Sequence, residues 1–119
     1  MAERSNYMLL LWAPQALSAQ PRSPEEARES GQRWHAWAEQ LRATDRLRGG
    51  GQLQDKALCV TKSGVQNSTQ RDPALGGYFL VRAESLAEAE GIARSCPLLL
   101  HEGAAVEVRP LVPSEEAAS

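Results

Sequence analysis

The amino-acid sequence predicts a single α+β domain: a four-stranded antiparallel sheet with two helices on one face. Three observations carry that expectation. Residues 76–97, GGYFLVRAESLAEAEGIARSCP, read as a buried strand handed directly to an amphipathic helix. An earlier stretch repeats the unit, because the apolar run 7–12, YMLLLW, precedes a helix pattern opening at Ser23. Two further apolar runs, 57–61 (ALCVT) and 104–109 (AAVEVR), place one more strand after each helix. The order strand, helix, strand, strand, helix, strand is that of two split βαβ units, a ferredoxin-like βαββαβ sandwich.

The first run is apolar at every position rather than at alternate ones, so both of its faces need a cover. Residues 13–22 contain Pro14 and Pro21 and read as a loop. Ser23, Pro24 and Glu26 then make a helix start: Ser23 as N-cap, Pro24 at the first helical position and Glu26 closing a capping box. Ala27, Gly31, Trp34, Ala38 and Leu41 form an apolar stripe along that helix, with Trp34 its core anchor and Trp37 beside it. The triplet Gly49-Gly50-Gly51 has no following Lys-Ser/Thr and no strand immediately before it, so it reads as a flexible helix-to-strand connection rather than a phosphate loop. Residues 63–75, SGVQNSTQRDPAL, read as a long polar loop, a length that in compact domains marks function or mobility. Ser85 and Glu88 repeat the capping box, and Leu86, Ala89, Ile92, Ala93 and Cys96 share one face before Pro97 stops the helix. Pro110 suits the last strand to a sheet edge. Residues 1–6 and 113–119 read as flexible tails.

Composition narrows the function classes. A chain of 119 residues can bury a core without metal or disulfide staples. A net charge of -2, with basic residues scattered among acids, argues against a nucleic-acid partner. The apolar run near the N-terminus is far short of the ~20 residues needed to span a bilayer, and it lacks a small-residue cleavage site. Cys59 and Cys96 stand in apolar contexts and read as a pair of buried free thiols. A cytoplasmic location and no membrane association are the expectation.

Two helices cover one face of such a sheet, yet residues 7–12 are apolar on both. A bare apolar face is an association site, and packing two such sheets face to face is the simplest cover, so a homodimer is expected. At this point a resemblance enters. The segments YMLL (7–10), LGGYFLV (75–81), SLAEA (85–89), SCP (95–97) and VEVRP (106–110) resemble the YCII-related family, in the subgroup named for an Asp-Gly-Pro-Phe motif. The likeness runs from about Tyr7 to Pro110. It implies a dimeric α+β barrel of largely unknown function, in a superfamily that also holds small monooxygenases, isomerases and dehalogenating enzymes. Counting back from the LGG segment, the family motif falls on Val65, Gln66, Asn67 and Ser68. The acid, the turn glycine and proline and the aromatic ring are all absent there, which favours a binding module over an enzyme.

Candidate site residues are few. In a βαββαβ sheet the last strand starts where the first one ends, so His101, Asp72 and Trp12 fall on one rim. His101 can exchange protons near neutral pH, and Asp72 can hold its tautomer. The alternative is a solvent-exposed loop histidine. Glu107 and Arg109, two apart, share one face of the last strand and either orient a polar ligand or form a structural ion pair. Two histidines and two cysteines without ligand spacing make no metal set, and no motif points to a cofactor. Two readings remain. One is a non-catalytic dimeric module for a small organic ligand or a partner; the other is a small cofactor-free enzyme with His101 as general acid or base.

Overall fold

The computed structural model describes residues 4–15, 23–68 and 71–113. Its elements are β1 (Ser5–Ala13), α1 (Pro24–Ala43), β2 (Leu47–Gln52), β3 (Leu58–Thr61), β4 (Gly64–Asn67), β5 (Ala74–Ala83), α2 (Leu86–Arg94), a 3-10 turn (Pro97–Leu100) and β6 (Ala105–Pro110). The main sheet runs β2-β5-β1-β6, and every neighbouring pair is antiparallel. This is the expected α+β sandwich, with β1 central and β6, carrying Pro110, at an edge.

Both helices start at the serine N-caps expected from the sequence. The Ser23 and Ser85 hydroxyls accept the N–H groups of Glu26 and Glu88, each at 3.1 Å. Among the described residues neither Glu26 nor Glu88 turns back to complete its box; the Glu88 carboxylate pairs instead with Arg46, in the turn between α1 and β2, at 3.2 Å. α1 ends at Thr44, and Asp45 takes the left-handed conformation (φ 55) that short polar side chains tolerate. Asp45 then gathers Arg82 at 3.2 Å and Arg4 at 3.8 Å.

The alternation of β1 divides its apolar run between two faces. Tyr7, Leu9 and Leu11 are buried under the helices with Val81, Ala83, Trp37, Leu41, Ala89, Ile92, Ala93, Cys96 and Leu98. The anchor of α1 is Trp37, 5% exposed, rather than Trp34, which is only partly buried. Phe79 decides this: its ring lies 4.9 Å from that of Trp37 edge-on, while Trp34 stacks outside it at 6.1 Å. Ser95 Oγ accepts the Trp37 indole N–H at 2.9 Å, fixing the ring.

The second strand of the sheet differs from the sequence expectation. It is β2, which contains the glycine triplet, and not residues 57–61. Gly49, Gly50 and Gly51 pair with Leu80, Phe79 and Tyr78. A Cβ on Gly50 would stand 2.7 Å from both Tyr78 O and Phe79 Cδ1, so the middle glycine of the triplet is what lets the edge strand close on β5. Residues 57–61 instead contribute β3, which pairs only with β4 as a separate hairpin. The segment expected as a long loop therefore begins with a strand, and the four residues at the motif position lie along β4 and its end. Cys59, expected to be buried, is exposed on that hairpin, and Cys96 is the buried thiol. The expected loop at 13–22 and the C-terminal tail lie largely outside the described residues.

Candidate functional site

The face of the sheet away from the helices carries the other half of the alternation. Met8, Leu10 and Trp12 from β1 stand on it, beside Tyr78 and Leu80 from β5 and Glu107 and Arg109 from β6. All but Arg109 are half-buried rather than exposed, because neighbouring large side chains shelter one another. The glycines of β2 leave the outer margin of this face low: Gly51 lies under the Tyr78 ring, whose Cε1 would be 3.5 Å from a Cβ there.

One fixed polar cluster interrupts the apolar floor. Trp12 stands opposite Ala105, so Glu107 is its diagonal neighbour, a spacing that long side chains bridge. The Trp12 Nε1–H donates to Glu107 Oε1 at 2.9 Å, and Arg109 Nε donates to Glu107 Oε2 at 2.6 Å. The Arg109 hydrogen bond, then that of Trp12, hold the Glu107 carboxyl below its ordinary value; slight desolvation opposes them, and the Arg109 charge adds to the lowering. The carboxylate is thus a fixed anion with both oxygens engaged. Among the described residues only the Arg109 Nε is engaged, which leaves its terminal N–H groups for a further acceptor.

The rim follows from register. β1 ends beside the starts of β5 and β6, with Trp12 opposite Leu75 and Ala105 and Ala13 opposite Ala74. Asp72 and His101 precede those starts by a few residues and occupy the same end of the sheet. Asp72 Oδ1 accepts the Gln15 backbone N–H at 3.1 Å, and Gln15 Nε2 donates to Arg71 O at 3.0 Å. These bonds tie the approach to β5 to the exit of β1. His101, half-buried, caps the 3-10 turn through backbone bonds; its imidazole makes no hydrogen bond or ion pair among the described residues. Gly103 (φ 84) turns the chain into β6, and a Cβ there would press on Pro14 at 3.0 Å, so the rim is tightly closed at that corner.

Of the five residues singled out from the sequence, the structure joins Trp12, Glu107 and Arg109 in one bonded cluster. It gives Asp72 a different partner, Gln15. The apolar members Met8, Leu10, Tyr78 and Leu80 were not singled out, though the alternation along β1 and β5 marks them. Gln15 carried no signal: a lone glutamine near a proline has no pattern of its own. Among the described residues no group of three or more His, Cys, Asp or Glu side chains is arranged to hold a metal, and no helix is long and apolar enough to cross a membrane.

Sheet order, helix placement and the open, polar-centred face define a small α+β protein of the ferredoxin-like class. The chain belongs to the YCII-related family, whose domain profile matches residues 7–114. No curated protein matches it.

Proposed function

We propose that this YCII-related protein, of the Asp-Gly-Pro-Phe subgroup, is a non-catalytic binding module that works as a homodimer joined through its open sheet faces, a dimeric α+β barrel. A small organic ligand lies on the floor made by Leu10, Trp12, Tyr78 and Leu80, with Arg109 taking its acidic or phenolic oxygen. The observation that carries the reading is the Trp12–Glu107–Arg109 cluster. It is a carboxylate held by two side-chain hydrogen bonds within a half-buried apolar floor, and such floors with a few fixed polar groups are the arrangement of ligand sites generally. In the enzyme reading Asp72 would hold the His101 tautomer, whereas its Oδ1 accepts the Gln15 N–H and the two side chains share no hydrogen bond among the described residues. An exposed free thiol at Cys59 suits a reducing, cytoplasmic setting.

Trp12 is its own reporter. Titration with a panel of small phenols and aromatic carboxylates should quench its emission saturably. The change should vanish in Trp12→Phe and weaken about tenfold in affinity in Arg109→Ala, as loss of one charge-assisted hydrogen bond does. If no compound alters the Trp12 signal, the floor is not a ligand site. Turnover of any panel compound that is lost in His101→Gln would establish the enzyme reading in its place.

A further inference from the structure

The β3–β4 hairpin has no place in the sheet, and its chemistry asks for a cover. Leu58 pairs with Asn67 and Val60 with Val65, so Leu58, Val60 and Val65 share one face of the ribbon. Cys59, Thr61 and Gln66 are on the other. The ribbon is therefore amphipathic, yet Leu58 is 68% exposed, Val60 71% and Val65 61%. Every described residue from Gly50 to Ser68 is exposed. An isolated two-stranded hairpin is at best marginally stable in water, and three branched apolar side chains on one bare face add an association surface. The molecule is also extended for its length: its radius of gyration is 16.2 Å, against about 13.5 Å for a compact domain of this size.

The hairpin's position says what it meets. It leaves the sheet after Leu53, whose N–H donates to Gly76 O at 2.9 Å, and returns into β5. That is the end of the sheet where β1 finishes and the rim lies. An arm of about ten residues from Leu53 to its turn reaches up to about 33 Å, enough to lie along a facing copy. Area argues the same way. Four strands with roughly 20 Å of paired length give an open face of about 400 Å² in projection. Side chains raise the accessible area of such a face above its projection, and the arm adds to it toward the ~800 Å² per partner that a stable interface buries.

We propose that the β3–β4 hairpin is a dimerisation arm whose Leu58–Val60–Val65 face packs on the body of a second copy of this chain. The proposal rests on the homodimer reading above. Two-fold symmetry makes the contact reciprocal, so each copy lends one arm and receives one. It also places the residues that stand where the family has Asp-Gly-Pro-Phe in an intermolecular contact, so that Val65 there is a packing residue.

The test is sedimentation equilibrium on the full chain and two variants, Leu58→Ser/Val60→Ser/Val65→Ser and Leu10→Asp. It is joined to photo-cross-linking from a benzophenone maleimide on Val60→Cys in a Cys59→Ser background. The arm predicts a wild-type dimer and about 100-fold weaker dimerisation in the triple variant, with unchanged far-UV circular dichroism. It also predicts cross-links joining isotopically heavy and light copies. If the triple variant dimerises like the wild type while Leu10→Asp is monomeric, the arm is refuted and the sheet-face dimer stands. Cross-links confined within one chain refute the arm as well, even should the triple variant fail to fold. A wild type that is monomeric at 100-micromolar order refutes both.

Discussion

Adding one methyl group at Gly50 tests the assignment of β2 as the second strand of the sheet. An alanine Cβ there would stand 2.7 Å from Tyr78 O, 2.7 Å from Phe79 Cδ1 and 3.2 Å from Phe79 Cα. Two of those three atoms are backbone of β5, a strand paired on both sides, and cannot swing away. The third belongs to the ring that Trp34 and Trp37 pack against, so displacing it disturbs the aromatic cluster. Overpacking of this kind costs about 1–3 kcal/mol. The extended positive φ of 159° at Gly50 is strained for any L side chain and brings the expected total to about 2–4 kcal/mol. With unfolding entropy of about 2.1 cal/mol/K per residue, that lowers Tm by roughly 8–16 °C. Gly49→Ala is the control, because a Cβ at Gly49 meets nothing within 4 Å. Urea unfolding followed by tryptophan fluorescence should separate the two variants clearly. Equal midpoints for Gly50→Ala and Gly49→Ala would refute the close approach and return the glycine triplet to a connecting loop.

Other expectations follow from the core and the cluster. Trp37→Ala should lower stability by about 3–5 kcal/mol in the same assay and Trp34→Ala by less than half as much, since Trp37 is the buried ring and Trp34 the outer one; the reverse order would mean the face of α1 is misassigned. Burial pushes the Cys96 thiol up to about 11, with the Leu98 backbone hydrogen bond opposing in part. The folded state therefore keeps a proton that the unfolded chain gives up near pH 9; this stability is complete below that pH and is lost as pH rises toward 11, by about 2–3 kcal/mol. A disulfide reagent at pH 8 should accordingly modify Cys59 quickly and Cys96 only on unfolding. Glu107 is lowered in the folded state, so its contribution is present above the ordinary carboxyl value and is lost as pH falls through the folded one. A carboxyl NMR titration should show Glu107 moving upward in Arg109→Ala and, by a smaller step, in Trp12→Phe; no movement in either would separate the hydrogen bonds from the shift.

The sequence by itself determined the local elements that rest on short-range chemistry. The two serine caps, the stop at Pro97 and the strand-to-helix junction from β5 into α2 were legible because each depends on residues within a few positions of one another, and their succession along the chain carried the ferredoxin-like order. It also marked β1 as apolar on both faces, and it put Glu107 and Arg109, two positions apart, on one face of the last strand.

Only the tertiary structure decided which segment became the second strand. Leu-Arg-Gly-Gly-Gly-Gln has poor strand propensity and the sequence after it good propensity, yet β5 pairs with the glycines: a side chain at Gly50 would bring its Cβ to 2.7 Å from Tyr78 O and Phe79 Cδ1. The better strand former at 58–61 was left to make a hairpin outside the sheet. The same holds for the tryptophans of α1: Trp34 and Trp37 are three apart on one helix, and the position of Phe79 on β5 chose which of them went inside. Asp72 likewise took Gln15 as its partner through the register of β1 on β5, 57 residues apart in the chain, a pairing that no local pattern encodes.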